Sequence, residues 1–196
     1  MSESKEILRQ EARRHRTLMD ISADEYDQAA NLFFETIAPE KNKVIAAYWP
    51  TDREFDPRPI IERLLEEGYT CVLPVMQEAV KELKFALWNE DIKLVKSSIG
   101  VFQPAIDSNT QWLVPDILIV PLLAFDRRGY RLGQGGGHYD ATLKSLRGKK
   151  EILAVGLAYG QQACLFKLPV EEHDQRLDWV ITPQGTHYFD LRIQPK

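Results

Sequence analysis

A cluster of glycines, with an arginine before it and an aspartate after it, is the part of this sequence best suited to bind a phosphate group. Four of the five residues from 133 to 137 are glycine, and glycine leaves backbone N–H groups accessible to an anion. Arg131 can place a forked guanidinium on phosphate oxygens, and Asp140 offers a hard oxygen ligand to Mg²⁺. The segment therefore predicts a nucleoside triphosphate site of unusual type.

The glycine cluster matches neither of the two common phosphate-binding motifs. No GK[ST] follows its first glycine at the Walker A distance. His138 stands where a Rossmann fingerprint has a small residue. A flexible surface loop is the alternative interpretation, but the flanking arginine and aspartate favour an anion site.

The segments on either side of the glycines are the elements expected to position them. The apolar run from 117 to 120 is short and rich in branched residues, which indicates a buried strand. Tyr139, Leu143 and Leu146 have roughly helical spacing, so a helix is predicted to begin near residue 138. A strand, a glycine-rich loop and a helix in this order present bare backbone N–H groups to an anion.

A second group of cations lies in the segment 3–19, where a thin apolar stripe predicts a helix. The group comprises Lys5, Arg9, Arg13 and Arg16, at intervals of four, four and three. This spacing places them along one face of a helix. A solvated basic face is the simplest interpretation, and an anion-binding face is the functional one.

Short apolar runs that alternate with helical patterns predict a single α/β domain. The predicted strands are 44–48, 69–73, 83–87, 117–120, 151–157 and 179–181. Ser22 and Glu25 form a capping-box pattern that starts a helix running up to Pro39. Asp56 caps the next helix, Pro74 is expected to end the second strand, and 179–181 is expected to be the last strand of the sheet.

Composition narrows the functional classes. The chain has 196 residues, 44% of them hydrophobic, and a net charge of −4, which disfavours general attraction to nucleic acid or membranes. Cys71 and Cys164 show no CxxC spacing, so neither a disulfide framework nor a zinc knuckle is predicted. No apolar run approaches the ~18 residues of a membrane span, and no apolar leader is evident. We therefore expect a cytoplasmic protein.

The stretch LAFDRRGYRLGQGGGHYD resembles the signature FD-x-x-G-x-RLG-x-G-x-G-aromatic-YD of the 5-formyltetrahydrofolate cyclo-ligases, also called 5,10-methenyltetrahydrofolate synthetases. Further landmarks of that family follow in the same order along nearly the whole chain. The resemblance implies a single-domain three-layer α/β sandwich over residues 1–196, with a mostly parallel central sheet flanked by helices. It also implies ATP- and Mg²⁺-dependent closure of 5-formyltetrahydrofolate to 5,10-methenyltetrahydrofolate, with release of ADP and phosphate.

The resemblance also assigns roles to individual residues. The ATP site would comprise Lys5, Arg9, Arg131, Leu132, Gly133, Gln134, Gly135, Gly136, Gly137, His138 and Tyr139. The folate site would share Gln134, Gly135, Gly136, Gly137 and His138 and add Trp49 and Glu54. Asp140 and Asp174 would hold Mg²⁺, while Arg131 and Tyr139 would act in catalysis. Glu54 suits a pterin because a carboxylate accepts paired N–H bonds, whereas Trp49 is equally well explained as a core residue at a strand end.

The sequence departs from the family pattern at three places. Gly136 stands where many members have lysine, and Ala141 where arginine is frequent. If those cations matter, Arg127, Arg128 or Arg147 would have to replace them. In the segment Val101–Pro104, which matches the family's turn before the central strand, glutamine takes the place of a common glutamate.

Two other functions compete with the enzyme. A non-catalytic binder that sequesters its ligand is favoured by the missing loop lysine, but it has little use for two metal-binding aspartates. An RNA-binding module built on the basic first helix is opposed by the overall acidity and by the lack of interleaved aromatics. We expect the partners to be ATP and 5-formyltetrahydrofolate, with or without a polyglutamate tail, and the protein to be a monomer that binds neither nucleic acid nor membrane.

Overall fold

A seven-stranded sheet with helices on both faces organises the residues that the computed structural model describes, 3–51, 53–190 and 192. The helices are α1 (Glu3–Thr17), α2 (Asp24–Ile37), α3 (Arg58–Glu66) and α4 (His138–Arg147). The first strands are β1 (Val44–Ala46), β2 (Thr70–Gln77), β3 (Val80–Leu87), β4 (Leu94–Lys96), β5 (Phe102–Pro104) and β6 (Ile117–Pro121). The remaining strands are β7 (Ala124–Asp126), β8 (Arg131–Leu132), β9 (Leu153–Leu157), β10 (Ala163–Cys164), β11 (Trp179–Thr182) and β12 (Gly185–Tyr188).

The main sheet is mostly parallel, as predicted. Its strand order is β12-β11-β9-β6-β1-β2-β3. The five inner strands run parallel, and the two edge strands pair antiparallel with their neighbours. Two small sheets, β10-β7-β8 and β4-β5, lie beside it. Because the inner strands are parallel, their carboxyl ends meet at one edge, where open α/β sheets bind ligands.

The sheet is buried on both faces, which explains why its central strand reads as a continuous apolar run. Ile119 packs in one core cluster with Phe33 of α2 and Leu64 of α3. Leu118, its neighbour in sequence, packs in a second cluster with Leu143 of α4. This alternation separates two helical layers and confirms the predicted three-layer architecture.

Asp116 ties three central strands together where they begin. Its backbone N–H donates to the Val44 carbonyl at 2.8 Å, and its carboxylate accepts the Val44 N–H at 2.8 Å. The same carboxylate accepts Lys150 Nζ at 2.8 Å, and its carbonyl accepts the Leu153 N–H at 3.0 Å. Burial raises the pKa of Asp116, but the bonds from Lys150 and Val44 outweigh it and hold the pKa below its ordinary value.

The predicted capping box does not form. Helix α2 follows Ala23, which has helical backbone angles and no side-chain capping bond. The Glu25 N–H instead donates to the Ser22 carbonyl at 3.2 Å. The first turn is thus closed by backbone atoms, which leaves the Ser22 hydroxyl without the capping role expected of it.

Pro74 does not end the second strand, which continues to Gln77. Pro74 pairs with Phe85 of β3, while β1 on the other side already ends at Ala46. On the β1 side of Pro74 there is therefore no neighbouring strand whose pairing would require the N–H that proline lacks.

Two other segments also differ from expectation. The segment predicted as a turn before the central strand contains β5, which pairs with β4 in a hairpin. The strand predicted to be the last, now β11, is followed by β12, whose pairing with it places one more strand at the edge. None of the described helices has the length and apolar character needed to cross a bilayer.

Replacing Asp116 by asparagine should lower the free energy of unfolding at pH 7 by about 1 kcal/mol, allowing for solvent screening of the partly exposed pair. Because the folded-state pKa of Asp116 is depressed, its contribution is complete above the unfolded value of about 3.9. It disappears as the pH falls through the folded value. Urea unfolding of wild type and Asp116→Asn should show a difference in the free energy of unfolding at pH 7 that disappears at acid pH. A difference that does not change with pH would contradict this account.

Candidate functional site

A pocket of about 460 Å³ lies at the carboxyl end of the inner strands. The segments after β1, the ends of β2 and β6, helix α1 and the loop before α4 all reach it. Its walls include Lys5, Arg9, Trp49, Glu54, Met76, Lys81, Gln103, Arg131, Leu132, Gly133, Gln134, Gly135, Gly136, Gly137, His138, Tyr139, Asp140, Glu171, His173 and Asp174. Every residue assigned to a site from the sequence therefore lines this single pocket.

The glycine loop has a geometry that larger residues would disturb. Gly137 precedes α4 with a φ of 72°, a left-handed conformation that favours glycine. A Cβ atom at Gly136 would lie 2.7 Å from His138 Cδ2, so the histidine ring occupies the space that a side chain would need. Helix α4 begins at His138, as predicted, and Gly137 has no side chain with which to cover the N–H groups of its first turn.

Two cations of the basic face of α1 are buried at the pocket instead of being solvated. Lys5 is 4% exposed and Arg9 is 6% exposed. Lys5 Nζ contacts Glu171 at 2.9 Å and Asp174 at 2.5 Å, and the hydrogen bond from Lys5 holds the pKa of Glu171 below its ordinary value. Arg9 donates from Nε to the Gly133 carbonyl at 3.0 Å. The simplest sequence interpretation, a face turned to solvent, is therefore wrong for these two cations.

Arg131 and the two candidate metal-binding aspartates form one connected wall. The Arg131 side chain is only 3% exposed and contacts Asp140 at 2.9 Å. It also donates to the Gln175 carbonyl at 2.7 Å, and the Gln175 N–H donates to Asp140 at 2.9 Å. Because Asp174 precedes Gln175 in the chain, this bridge connects the loop that carries Asp174 to Arg131 and Asp140.

His173 is closer to this wall than the sequence spacing indicated. Ligand atoms of Glu171, His173 and Asp174 lie within 4.8 Å of one another. The sequence gives no spacing signal for His173, because no HxH or HxxxH pattern includes it. A loop can gather adjacent residues without such a pattern, so spacing could not reveal this group.

Glu54 lies beside the glycine loop. Its carboxylate accepts bonds from the Thr51 N–H at 3.0 Å, from the Thr51 hydroxyl at 2.9 Å and from Gln134 Nε2 at 3.2 Å. Gln134 is itself held by Arg13, which donates to its carbonyl at 3.0 Å. The carboxylate is thus fixed at the pocket wall by donors from two segments.

Trp49 and Tyr139 add aromatic surface to the pocket. Trp49 packs edge-on against Trp88, with ring centroids 5.5 Å apart, and also lines the pocket. The core packing is thus observed, and contact with a substrate stays a prediction. Burial raises the pKa of Tyr139, Glu54 raises it further, and Arg131 opposes them. Tyr139 therefore stays protonated at neutral pH and can donate a hydrogen bond.

The arginines expected to replace the missing loop cations lie elsewhere. Arg128 contacts Asp126 at 2.6 Å, and Arg147 contacts Asp178 at 2.8 Å. Arg127 is exposed, and none of the three lines the pocket. Sequence reasoning missed Lys81, from β3, which does line it; no local motif marks a residue that reaches the site through strand pairing.

The hairpin that leads into the glycine loop depends on one buried carboxylate. Asp126 is 2% exposed and accepts backbone N–H bonds from Arg128 at 2.9 Å, Tyr130 at 3.2 Å and Leu168 at 3.0 Å. Together with the Arg128 guanidinium, these donors satisfy both of its oxygens. The turn and the strand that positions Arg131 are therefore built around Asp126.

Comparison with known proteins identifies a family. The profile of the 5-formyltetrahydrofolate cyclo-ligase family matches residues 1–183. The 5-formyltetrahydrofolate cyclo-ligase of Escherichia coli K12 is 38% identical over 144 residues, covering 71% of this chain and 77% of that protein. The Haemophilus influenzae protein of the same name is 36% identical, covering 70% and 74%. The Aquifex aeolicus 5,10-methenyltetrahydrofolate synthetase structure superposes with a TM-score of 0.74 at 25% identity, covering 98% and 95%.

Replacing Asp126 by asparagine should lower the free energy of unfolding by about 3 kcal/mol. The amide NH2 group cannot accept hydrogen bonds, so the buried donors that face it would lose their acceptor. The matched control is Asp190→Asn, since Asp190 makes the same turn with Arg192, through bonds of 3.0, 2.9 and 2.8 Å, around an exposed arginine. Urea unfolding should show a large decrease in the free energy of unfolding for Asp126→Asn and only a small one for Asp190→Asn. Equal losses would show that burial of Asp126 is unimportant.

Proposed function

The chain belongs to the 5-formyltetrahydrofolate cyclo-ligase family, and we infer from this premise that it is an ATP-dependent enzyme that closes 5-formyltetrahydrofolate to 5,10-methenyltetrahydrofolate. The family match over residues 1–183 supports this activity, as do relatives of that name in two bacteria. The single observation that carries the site assignment is spatial. Residues as far apart in sequence as Lys5, Glu54, Arg131 and Asp174 line one pocket.

We propose that the glycine loop and its cations bind the triphosphate of ATP. Arg9 lies against the loop, since a Cβ at Gly135 would be 3.4 Å from its Nε. Arg131 and Lys5 stand on the adjoining wall, each paired with a carboxylate. Phosphate oxygens can replace those carboxylates as partners, because guanidinium and ammonium groups bind both kinds of anion. The N–H groups at the start of α4 complete the cradle.

The two aspartates fit a magnesium ion. Asp140 and Asp174 contribute hard carboxylate oxygens on the same wall as the proposed phosphate site, which is the ligand type that Mg²⁺ accepts together with phosphate and water. When bound there, Mg²⁺ would neutralise charge on the phosphates. The cations that hold these aspartates would then be released to the triphosphate.

We assign the pterin to the side of the pocket that carries Glu54 and Trp49. Bonds from Thr51 and Gln134 hold the Glu54 carboxylate in place. An ionised carboxylate only accepts hydrogen bonds, which suits the N–H edge of a 2-amino-4-oxopteridine. Trp49 supplies apolar surface next to it. Gln134 would touch both substrates, because it belongs to the glycine loop and bonds to Glu54.

The proposed reaction begins at the formyl group. Its oxygen attacks the γ-phosphorus of ATP, the bond to ADP breaks, and an imidate phosphate forms. N10 then attacks the activated carbon, phosphate departs, and the N10 proton is lost. Such chemistry asks the protein for positioning and charge neutralisation more than for a nucleophile. Arg131 would neutralise charge on the transferred phosphoryl group, and protonated Tyr139 would donate a hydrogen bond at the junction of the two substrates.

Purified protein should convert 5-formyltetrahydrofolate only when both ATP and Mg²⁺ are present. Formation of methenyltetrahydrofolate can be followed by its absorbance, and omission of any one component should abolish the signal. Binding of the folate without turnover would favour a sequestering protein. Absence of both binding and turnover would remove the support for any folate function.

Asp140→Asn should reduce kcat by about 100-fold, because the electrostatic support at the transferred phosphate is lost. The matched control is Asp178→Asn. Asp178 also accepts one arginine, Arg147, at 2.8 Å and one backbone N–H, from Ala154, at 2.7 Å, but it lies outside the pocket. The two variants should lose similar stability in urea unfolding, and only the first should lose turnover. A parallel loss of turnover in both would mean that Asp140 acts only in folding.

A further inference from the structure

Lys81 approaches the glycine loop from a strand that the sequence did not connect with it. Its Nζ lies 3.8 Å from the position that a Cβ atom would take at Gly137, the residue that precedes α4. Lys81 is exposed and lines the same pocket as Arg9 and Arg131. An exposed ammonium group therefore lies close to the start of α4, where backbone N–H groups are available to an anion.

Two hydrogen bonds fix the strand that carries Lys81 above the loop. His138 Nδ1 bonds to the Lys81 carbonyl at 2.9 Å, and the Leu83 N–H donates to the Thr142 hydroxyl at 2.8 Å. The first bond depends on Gly136, because a side chain there would displace the His138 ring. Gly136 therefore has two effects. It replaces the lysine that is common in the family, and it leaves room for the His138 ring that bonds to Lys81.

Lys81 also differs from the other cations of the pocket in its partners. Lys5 pairs with Asp174, Arg9 with Glu6 and Arg131 with Asp140. Within 3–51, 53–190 and 192, Lys81 is the pocket-lining lysine or arginine that makes no ion pair. An anion can therefore bind it without displacing a carboxylate.

We propose that Lys81 is a phosphate-binding residue, supplied by β3 in place of a lysine within the glycine loop. This inference rests on the proposed ATP-dependent activity and adds to it a residue outside the family signature. The ligand is the triphosphate held at the start of α4. The other anion in the reaction, the glutamate carboxylate of the folate, is the alternative that the experiment separates.

The test compares Lys81→Met with Lys84→Met in the full chain. Lys84 lies on the same strand and is also exposed, but it does not line the pocket, and its Nζ lies 5.5 Å from the Trp112 ring centroid. Lys81→Met should raise KM for ATP about 5- to 20-fold, the range for one partly screened charge-assisted contact. KM for 5-formyltetrahydrofolate should not change, and Lys84→Met should match wild type in both constants.

Two further measurements separate a charge effect from a structural one. Lys81→Arg should restore KM for ATP, since it keeps the charge. Raising the ionic strength should narrow the difference between wild type and Lys81→Met, because salt screens an exposed charge. Calorimetric titration with ATP and Mg²⁺, without folate, should show the same weakening in the absence of turnover.

Four outcomes would overturn the inference. A raised KM for the folate alone would assign Lys81 to the glutamate carboxylate. Equal effects of Lys81→Met and Lys84→Met would point to the strand instead of the ammonium group. Unchanged constants in an active enzyme would refute a role for Lys81 while leaving the proposed function intact, whereas a wild type that neither binds ATP nor turns over would refute both.

Discussion

The pocket depends on the ion pairs that join α1 to the rest of the protein. Lys5 and Arg9 are almost fully buried, and a buried charge is tolerated only when it is paired and hydrogen-bonded. Asp174 supplies that pairing for Lys5, and the Gly133 carbonyl supplies a hydrogen bond for Arg9. Without these partners, burial of the two cations would be strongly unfavourable, and α1 would not pack with them facing the pocket. The site is therefore built by electrostatic docking of a helix onto two loops.

The same pairs prepare the pocket for charged ligands. With no phosphate bound, the acidic side chains balance the cations of the wall, as in the contact between Arg131 and Asp140. A triphosphate could replace the carboxylates as the partner of the cations. A divalent ion could replace the cations as the partner of the carboxylates. The exchange keeps buried charge compensated throughout, so the large cost of exposing an unpaired charge to a low dielectric is avoided.

Much of the fold was accessible from sequence because the relevant signals are local. The apolar run of β6, the glycines before α4 and the helical spacing after them each specify their own structure. Pro74 and Ser22 misled because their effects depend on what lies beside them: β1 ends early next to Pro74, and backbone bonds close the turn at Ser22. Lys81 and His173 were missed for the related reason that strand pairing and loop conformation, not spacing, bring them to the pocket.

The contact between Lys5 and Asp174 spans 169 positions, and this has a consequence for biosynthesis. At ribosomal speeds of 5–20 residues per second, roughly 8 to 34 s separate the emergence of the two partners. During that interval Lys5 lacks its acidic partners, Glu171 and Asp174, and β11 and β12 are still missing. Ligands cannot assist the early stages of folding, because the triphosphate cradle comes into being only once the β11 end of the chain has left the ribosome.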